Sequence, residues 1–157
     1  MHFPIIALEK IDTPVEDWAI DLPYDDATLN RFTDYAGELY SEEERKRVIN
    51  SEWFKKLFDG YADIDTEKET ITFYNAVKCA WSFKKYLREK TEELYNLALD
   101  DKLTGFELER SGVEYNHCPE LFYVDGGYVQ TSFDFIDDAR YYAGETWRIG
   151  NIFDAHF

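Results

Sequence analysis

The chain has 157 residues, of which 33 are acidic and 17 are basic, so its formal net charge at pH 7 is −16. A small soluble domain needs a net charge of only about 2 to 8 in magnitude. A larger net charge destabilises the compact state because its like charges repel one another. Because 45% of the residues are hydrophobic, including twelve Phe, twelve Tyr and four Trp, the composition excludes intrinsic disorder. Two cysteines are too few for a disulfide scaffold, and no apolar run approaches a membrane span. We therefore expect a folded cytoplasmic protein.

The excess of acid is concentrated at the two ends of the chain. Residues 1–40 contain nine acidic and two basic residues, and residues 103–157 contain ten and three. Residues 41–102, by contrast, contain fourteen and twelve, so the middle of the chain is nearly neutral. The most direct use for two uncompensated acidic regions is a basic partner, and we expect one.

The first 60 residues predict one strand and two helices. Residues 4–8 are short, apolar and rich in branched side chains, which favours a strand. Asp25 or Asp26 can cap a helix that places Asp34 and Glu38 one turn apart on its polar face. Its apolar positions recur at three- and four-residue steps and are Leu29, Phe32, Ala36 and Leu39. A capping box at Ser41 begins the next helix, which we expect to end at Gly60.

The longest periodic segment covers residues 70–101 and predicts a helix that begins near Asn75, since residues 71–73 have strand propensity. Lys78, Lys85 and Arg88 share a face of this helix with Trp81. Basic residues interleaved with an aromatic residue can bind nucleic acid. In a chain of −16 the pattern favours a solvated face or an internal partner for the acidic ends, so we expect no direct binding of nucleic acid.

Beyond Gly105 the hydrophobic period changes to two. Residues 106–109 and 113–115 predict a pair of strands, and Asp125-Gly126-Gly127 predicts a hairpin between residues 121–124 and 128–133. A short helix over residues 136–143 with Asp137 and Asp138 at its positive end, and a closing strand over residues 146–153, complete the pattern. We predict a single α+β domain over residues 1–157. It has two or three N-terminal and central helices packed on a C-terminal antiparallel sheet with hairpins, and the N-terminal strand is a candidate to join that sheet.

No motif in the sequence carries recognisable chemistry. His2, His117 and His156 have no metal-binding spacing, and His117 adjoins Cys118 too closely to form the usual ligand pair. Doublets of acid such as Asp100-Asp101 are expected from composition alone, and Gly126-Gly127 lacks the Lys of a phosphate loop. We expect neither an enzyme nor a protein that holds a metal or a cofactor.

The acidic residues have a spacing that suggests a mimic of nucleic acid. Successive phosphates of a DNA strand lie about 7 Å apart, whereas acids two apart on a strand lie about 6.6 Å apart and acids four apart on a helix about 6 Å. Glu107 and Glu109 fit the first spacing, and Asp34 and Glu38 fit the second. We expect charge reversal at Glu107 and Glu109 to weaken partner binding more than neutral substitutions elsewhere.

Two segments resemble the ArdA family of antirestriction proteins. Residues 18–24 (WAIDLPY), followed by residues 29–31 (LNR), are similar to an aromatic-Ala-Ile, Leu-Pro-aromatic and Leu-Asn-Arg series in that family. Residues 138–142 (DARYY) with Glu145 are similar to a later acidic-x-Ala-Arg-Tyr-Tyr stretch. The resemblance implies an acidic DNA mimic, encoded by a phage or mobile element, that forms a homodimer and blocks type I restriction enzymes.

The leading hypothesis is a stoichiometric inhibitor that occupies the DNA- or guide-binding channel of a restriction-modification or CRISPR-Cas effector in the bacterial cytoplasm. An immunity or antitoxin protein that neutralises a basic nuclease toxin is the alternative, and a housekeeping interaction domain is a third class. Tyr141 and Tyr142 are candidate aromatic anchors at the rim of the interface. The candidate phosphate stand-ins are Asp25, Asp26, Asp34, Glu38, Glu107, Glu109, Glu114, Asp134, Asp137 and Asp138.

Overall fold

A computed structural model of the chain describes residues 2–102, 104 and 121–156. These residues form an α+β fold, as the sequence predicts, with helices packed against a mixed seven-stranded sheet. The strands are β1 (His2–Lys10), β2 (Tyr35–Leu39), β3 (Ala62–Asp65), β4 (Thr70–Phe73), β5 (Leu121–Val124), β6 (Val129–Thr131) and β7 (Thr146–His156). The α-helices are α1 (Ala27–Phe32), α2 (Glu42–Asn50), α3 (Glu52–Leu57), α4 (Ala76–Leu99) and α5 (Ser132–Asp138), with 3₁₀ turns at Val15–Asp17 and Ala139–Tyr142.

The strand at the N-terminus lies at the centre of the sheet. The strand order is β3-β4-β7-β1-β5-β6, so the prediction that residues 4–8 join the sheet is confirmed. The predicted sheet was wholly antiparallel, but β1 and β5 pair in parallel, with Ile5 opposite Leu121. A parallel pair requires a long crossover between its strands. Here the crossover contains α1 to α4, which the sequence pattern did not connect to β5.

The closing strand β7 is longer than predicted and pairs with other strands along both of its sides. Its first residues pair with β4, from Thr146 to Arg148, and its last residues pair with β2, from Phe153 to His156. Along its other side it pairs with β1 over nearly its whole length. The two short strands β2 and β4 therefore share one edge of β7.

The sheet has a core on each face, because alternate residues of β1 point to opposite sides. Ile6 and Leu8 pack on the first face with α2, α3, α4 and α5, and Ile5 and Ala7 pack on the second face. The first core is rich in aromatic rings in edge-to-face or stacked contact, with centroids 4.5 to 6.5 Å apart: Phe58, Phe73, Phe122 and Phe135. The second face is covered by Leu22 and Leu29 from the segment between β1 and β2.

The central helices differ from the prediction at their ends. The capping box is present: Ser41 Oγ accepts from Glu44 N–H, and the Glu44 carboxylate accepts from Ser41 N–H. However, the helix predicted to continue to Gly60 breaks at Ser51, whose side chain caps α3 by accepting from Phe54 N–H. The helix α4 begins directly after Asn75, as expected, with the Asn75 side chain as its cap, and residues 70–73 form β4.

The hairpin is confirmed, but the short helix after it was misplaced. Tyr123 pairs with Val129 across the turn. The helix lies at 132–138 rather than 136–143, because reciprocal hydrogen bonds between Thr131 Oγ1 and Asp134 begin it four residues earlier. Asp137 and Asp138 therefore lie at the C-terminal end of α5, so the prediction that they stabilise its positive end is wrong.

A buried arginine joins α2 to an irregularity in β7. The pairing of β1 with β7 shifts register between Ile6 and Leu8, so two β7 residues oppose one β1 residue, which is a β-bulge. Arg45, with 4% of its surface exposed, donates from Nε to the carbonyl of Gly150 at 2.7 Å and from its terminal nitrogen to the carbonyl of Ile149. Its guanidinium also pairs with Glu69 at 2.8 Å. The side chain thus satisfies carbonyl oxygens beside the bulge.

Candidate partner-binding surface

The segment between β1 and the end of β2 forms a strongly acidic layer. We call residues 11–40 the acidic layer, since they contain eight acidic residues and one basic residue, Arg31. Ala19, Leu22 and Leu29 of this segment pack on the second face of the sheet, and its last residues join the sheet as β2. The helices α2 to α5 on the first face carry ten acidic and ten basic residues in total. The tertiary structure therefore separates the acidic layer from helices whose acidic and basic residues are equal in number.

Most carboxylates of the acidic layer are exposed and have no basic partner among the residues that the structure describes. Among the described residues, no ion pair involves six of the exposed members, which are Asp12, Glu16, Asp17, Asp21, Asp25 and Glu38. The bases of the central helices pair within their own segment, as Lys46 does with Glu42 and Lys55 with Glu52. The lysines and arginines of the middle of the chain thus leave the excess acid of the layer unneutralised.

Asp25 and Asp26 have different roles although they are adjacent. Asp25 is exposed. Asp26 is half-buried and accepts two backbone hydrogen bonds, from Leu29 N–H at 2.8 Å, which caps α1, and from Val129 N–H at 2.9 Å in β6. The predicted cap is confirmed at Asp26, and this carboxylate is engaged in holding the layer to the sheet.

Asp34 and Glu38 do not lie on a helix, and the helical spacing predicted for them is wrong. The helix α1 ends at Phe32, and Tyr35–Leu39 is β2, because Tyr35 and Leu39 pair with β7. Residues four apart on a strand are on the order of 13 Å apart, about twice the predicted distance. Both side chains are nevertheless exposed at the edge of the sheet. A hydrogen bond from the His156 side chain, 3.0 Å from Asp34 Oδ1, holds the pKa of Asp34 below its usual value.

A concave site within the acidic layer was not predicted from the sequence. A cavity of about 340 Å³ lies between α1 and β2, and Asp21 and Asp34 contribute to its wall. Tyr24 and Tyr35 also line it, with 87% and 53% of their surfaces exposed. Carboxylates beside aromatic rings suit a cationic group, which is attracted by both. In the sequence this site appears only as two tyrosines on either side of a short helix with an acidic start, and that pattern is too common to predict a cavity.

The C-terminal candidates are less accessible than predicted. Asp134 accepts a hydrogen bond from Thr131 Oγ1 at 2.7 Å, and Asp138 accepts one from the Gln130 amide at 3.1 Å. These two and Asp137 are half-buried. They lie on the first face of the sheet with α5, away from the acidic layer.

The two candidate aromatic anchors also differ. Tyr141 is 68% exposed. Tyr142 packs against the rings of Phe73, Phe135 and Trp147, with centroids 5.4 to 5.8 Å apart. Burial raises the pKa of its hydroxyl. Tyr142 is therefore half-buried against the core, and less of its ring is accessible than that of Tyr141.

Glu107, Glu109 and Glu114, together with the strands predicted over residues 106–109 and 113–115, lie outside the described residues. The same holds for His117 and Cys118. Their candidate roles stay predictions.

The basic cluster on α4 is a solvated face. Trp81 is 70% exposed, Lys84 Nζ lies 5.9 Å from the centroid of its ring, and Lys85 pairs with Glu89 on the next turn. Lys78 Nζ lies 3.1 Å from the centre of the Tyr74 ring. No ion pair within the described part of the chain joins this cluster to the acidic layer. Of the two interpretations of these bases, a solvated face and an internal partner for the acidic ends, the structure favours the first.

Among the described residues, no three His, Cys, Asp or Glu side chains come together as a metal site requires. Cys79 is buried against the Tyr61 carbonyl, and burial raises the pKa of its thiol. No helix in that part of the chain has both the length and the hydropathy of a membrane span.

Comparisons with protein-family models, curated proteins and solved structures find no match to this chain. The surface of the protein is therefore the main guide to its function.

Proposed function

We propose that the protein is a stoichiometric inhibitor whose acidic layer occupies the nucleic-acid-binding cleft of a bacterial defence enzyme. The observation that carries this proposal is the charge of the layer: eight acidic residues and one basic residue in a single segment that covers the second face of the sheet with Leu22 and Leu29. A cleft that binds nucleic acid is lined with Lys and Arg and draws much of its affinity from counterion release. An anionic protein surface can occupy it by the same physical means, without any catalytic group.

The exposure of the carboxylates supports competition with nucleic acid. Six exposed acids of the layer have no ion pair in the described residues, so an incoming basic surface does not have to displace an internal partner. The cavity beside Tyr24 and Tyr35 offers a place for an arginine or lysine side chain of the target. Aromatic side chains in such positions commonly contribute much of the binding energy of an interface.

The target we propose is a restriction-modification enzyme or a CRISPR-Cas effector. Most of the residues that resemble the ArdA family, 18–24 and 29–31, lie in the acidic layer. A type I restriction enzyme is therefore the first target to test. A phage or mobile element that carried this gene would gain protection of its DNA in the cytoplasm of its host.

The test is displacement of labelled duplex DNA from purified type I restriction enzyme and from a Cas9-type effector. We expect displacement at stoichiometric concentration and a steep loss of affinity as salt rises. The double variant Asp21→Lys/Asp25→Lys is expected to weaken binding by at least a hundredfold. Its matched control, Glu43→Lys/Glu52→Lys, reverses two exposed charges on the helices α2 and α3 and is expected to change binding less than threefold. Equal effects of the two variants, or binding that is insensitive to salt, would contradict the proposal.

An immunity protein that neutralises a basic nuclease toxin is the second candidate. The cavity with Tyr24, Tyr35, Asp21 and Asp34 favours it, since a pocket that accepts one cationic side chain suits a single tight partner. A toxin gene directly upstream would favour this role, and a position in a prophage or plasmid leader would favour the inhibitor of a defence enzyme. Inhibition of the neighbouring nuclease without displacement of DNA from either defence enzyme would establish the second candidate.

A further inference from the structure

Two histidines from opposite ends of the chain face each other across the sheet. His2 in β1 and His156 in β7 are direct partners in the antiparallel pairing of these strands, so their side chains lie on the same face. Their ring centroids are 5.1 Å apart, and the ring planes are inclined at 61°. Both side chains are exposed, with 70% and 41% of their surfaces accessible. The spacing of histidines along the sequence does not indicate this pair, because the pairing of β1 with β7 creates it.

Each ring contacts a carboxylate through the same nitrogen. His2 Nδ1 lies 2.8 Å from Asp154 Oδ2, and His156 Nδ1 lies 3.0 Å from Asp34 Oδ1. An ionised carboxylate can only accept a hydrogen bond, so Nδ1 of each ring is the donor. In a neutral imidazole, a proton on Nδ1 leaves the lone pair on Nε2. The two rings therefore each have Nε2 as the nitrogen that can bind a metal ion.

This arrangement is typical of histidines that bind metal ions. A ligating imidazole usually donates its other N–H to a carboxylate, which fixes the orientation of the ring and makes the ligating nitrogen more basic. A Zn–N bond of about 2.1 Å places each ring centroid about 3.2 Å from the ion, so two rings at a tetrahedral angle have centroids about 5.2 Å apart. The distance between the His2 and His156 rings is close to this value.

We propose that His2 and His156 form a binding site for a divalent metal ion that prefers nitrogen ligands, such as Zn²⁺, and that Asp154 and Asp34 orient the two rings. Imidazole nitrogen suits Zn²⁺, Ni²⁺ and Cu²⁺. Two protein ligands are fewer than the four of a structural zinc site, so water completes the coordination and the ion exchanges with solvent. The bound ion joins β1 to β7 and stabilises the native sheet, which is a property separate from the proposed inhibition.

Isothermal titration calorimetry with Zn²⁺ tests the proposal. Half the ligands of a structural zinc site should supply roughly half of its binding free energy, so we expect one Zn²⁺ per chain with a Kd on the order of 10 µM. The 33 carboxylates of the chain also attract cations. The titration therefore contains about 5 mM Mg²⁺, which competes for oxygen ligands but not for imidazole.

Four variants separate the histidine pair from the general acidity of the protein. His2→Gln and His156→Gln should each weaken Zn²⁺ binding by at least tenfold, since each removes one ligand. Asp34→Ala should weaken it by about tenfold, because it removes the carboxylate that orients a ligating ring. The matched control is Asp25→Ala, an exposed acid of the same layer, which should change the Kd less than about twofold. Circular dichroism confirms that each variant is folded.

Thermal unfolding gives a second measurement on the same proteins. At a Zn²⁺ concentration about a hundredfold above the Kd, the Tm of the wild type should rise by about 5–10 °C, and that of His156→Gln should stay unchanged. Zn²⁺ binding that persists in His156→Gln would place the ion on His2 and the amino end of the chain, and would overturn the proposal. A wild-type Kd above about 1 mM, or equal effects of Asp34→Ala and Asp25→Ala, would also overturn it.

Discussion

Replacing Arg45 by methionine tests how much the buried polar contacts beside the β7 bulge contribute to stability. The arginine donates to the carbonyl oxygens of Gly150 and Ile149 beside the β7 bulge and pairs with Glu69, all while 4% exposed. Methionine keeps a similar length and apolar stem but donates no hydrogen bond. The variant therefore removes the donors and leaves the carbonyls and a carboxylate without them.

The magnitude follows from these contacts. Leaving a buried acceptor unsatisfied costs about 1–3 kcal/mol, and removing one partner of a buried ion pair costs about 3–5 kcal/mol. Glu69 is 22% exposed, so water recovers part of its solvation, and the methionine side chain of the variant would gain some apolar burial. We expect a net loss of about 3 to 4 kcal/mol in the free energy of unfolding, and a fall in Tm on the order of 10 °C.

Urea unfolding followed by circular dichroism measures this loss. The matched control is Arg47→Met, in which the arginine is exposed and pairs with Glu43 one turn away, so the expected loss is under about 0.5 kcal/mol. Adding Glu69→Gln to Arg45→Met should restore the part of the loss that comes from an unpaired charge, but not the part from the two carbonyls. A stability of Arg45→Met within about 0.5 kcal/mol of the wild type would refute the role assigned to this side chain.

Three further predictions concern single residues. Asp26→Ala should cost about 2 kcal/mol, since it removes a helix cap and a hydrogen bond to β6, whereas Asp25→Ala should leave stability unchanged; urea unfolding that ranked them the other way would contradict the geometry. Gly60→Ala should cost about 1–3 kcal/mol in the same assay, because φ is +82° and the new Cβ would lie 2.7 Å from Ser82 Oγ; an unchanged midpoint would rule out this strain. Burial raises the pKa of the Cys79 thiol, so the thiol of the unfolded chain ionises at a lower pH than that of the native protein, and the free energy of unfolding should fall as pH rises above the unfolded thiol's pKa of about 8.5. Peptide-resolved thiol labelling at pH 8 should find Cys79 protected in the native protein. Rapid labelling of Cys79 would refute its burial.

Local sequence signals were reliable where the structure they predict is also local. The capping box at Ser41, the start of a helix near Asn75 and the hairpin around Gly126 depend on residues within a few positions of each other, and all three are confirmed. Residues 4–8 were correctly assigned to the sheet, since a short apolar run is typical of a buried strand.

The errors arose where tertiary contacts override a local pattern. The apolar spacing of Ala36 and Leu39 fits a helix, but β7 offers these residues a row of backbone partners, and they form β2 instead. Asp137 and Asp138 were placed at a helix start because the Thr131–Asp134 contact was not recognised. Periodicity alone cannot distinguish a helical turn from a short edge strand that pairs with a distant segment.

The amino-acid sequence by itself determined the net charge of this protein, the concentration of acidic residues at the two ends of the chain, and the α+β class, since these depend on composition and short-range pattern. The tertiary structure alone decided which acids share a surface. It placed Leu22 and Leu29 of the acidic layer on one face of the sheet and the balanced helices on the other, and it moved Asp134 and Asp138 into hydrogen bonds away from that layer. The physical reason is that β1 exposes alternate side chains to two separate cores, so the segment that covers each core determines the charge of that side.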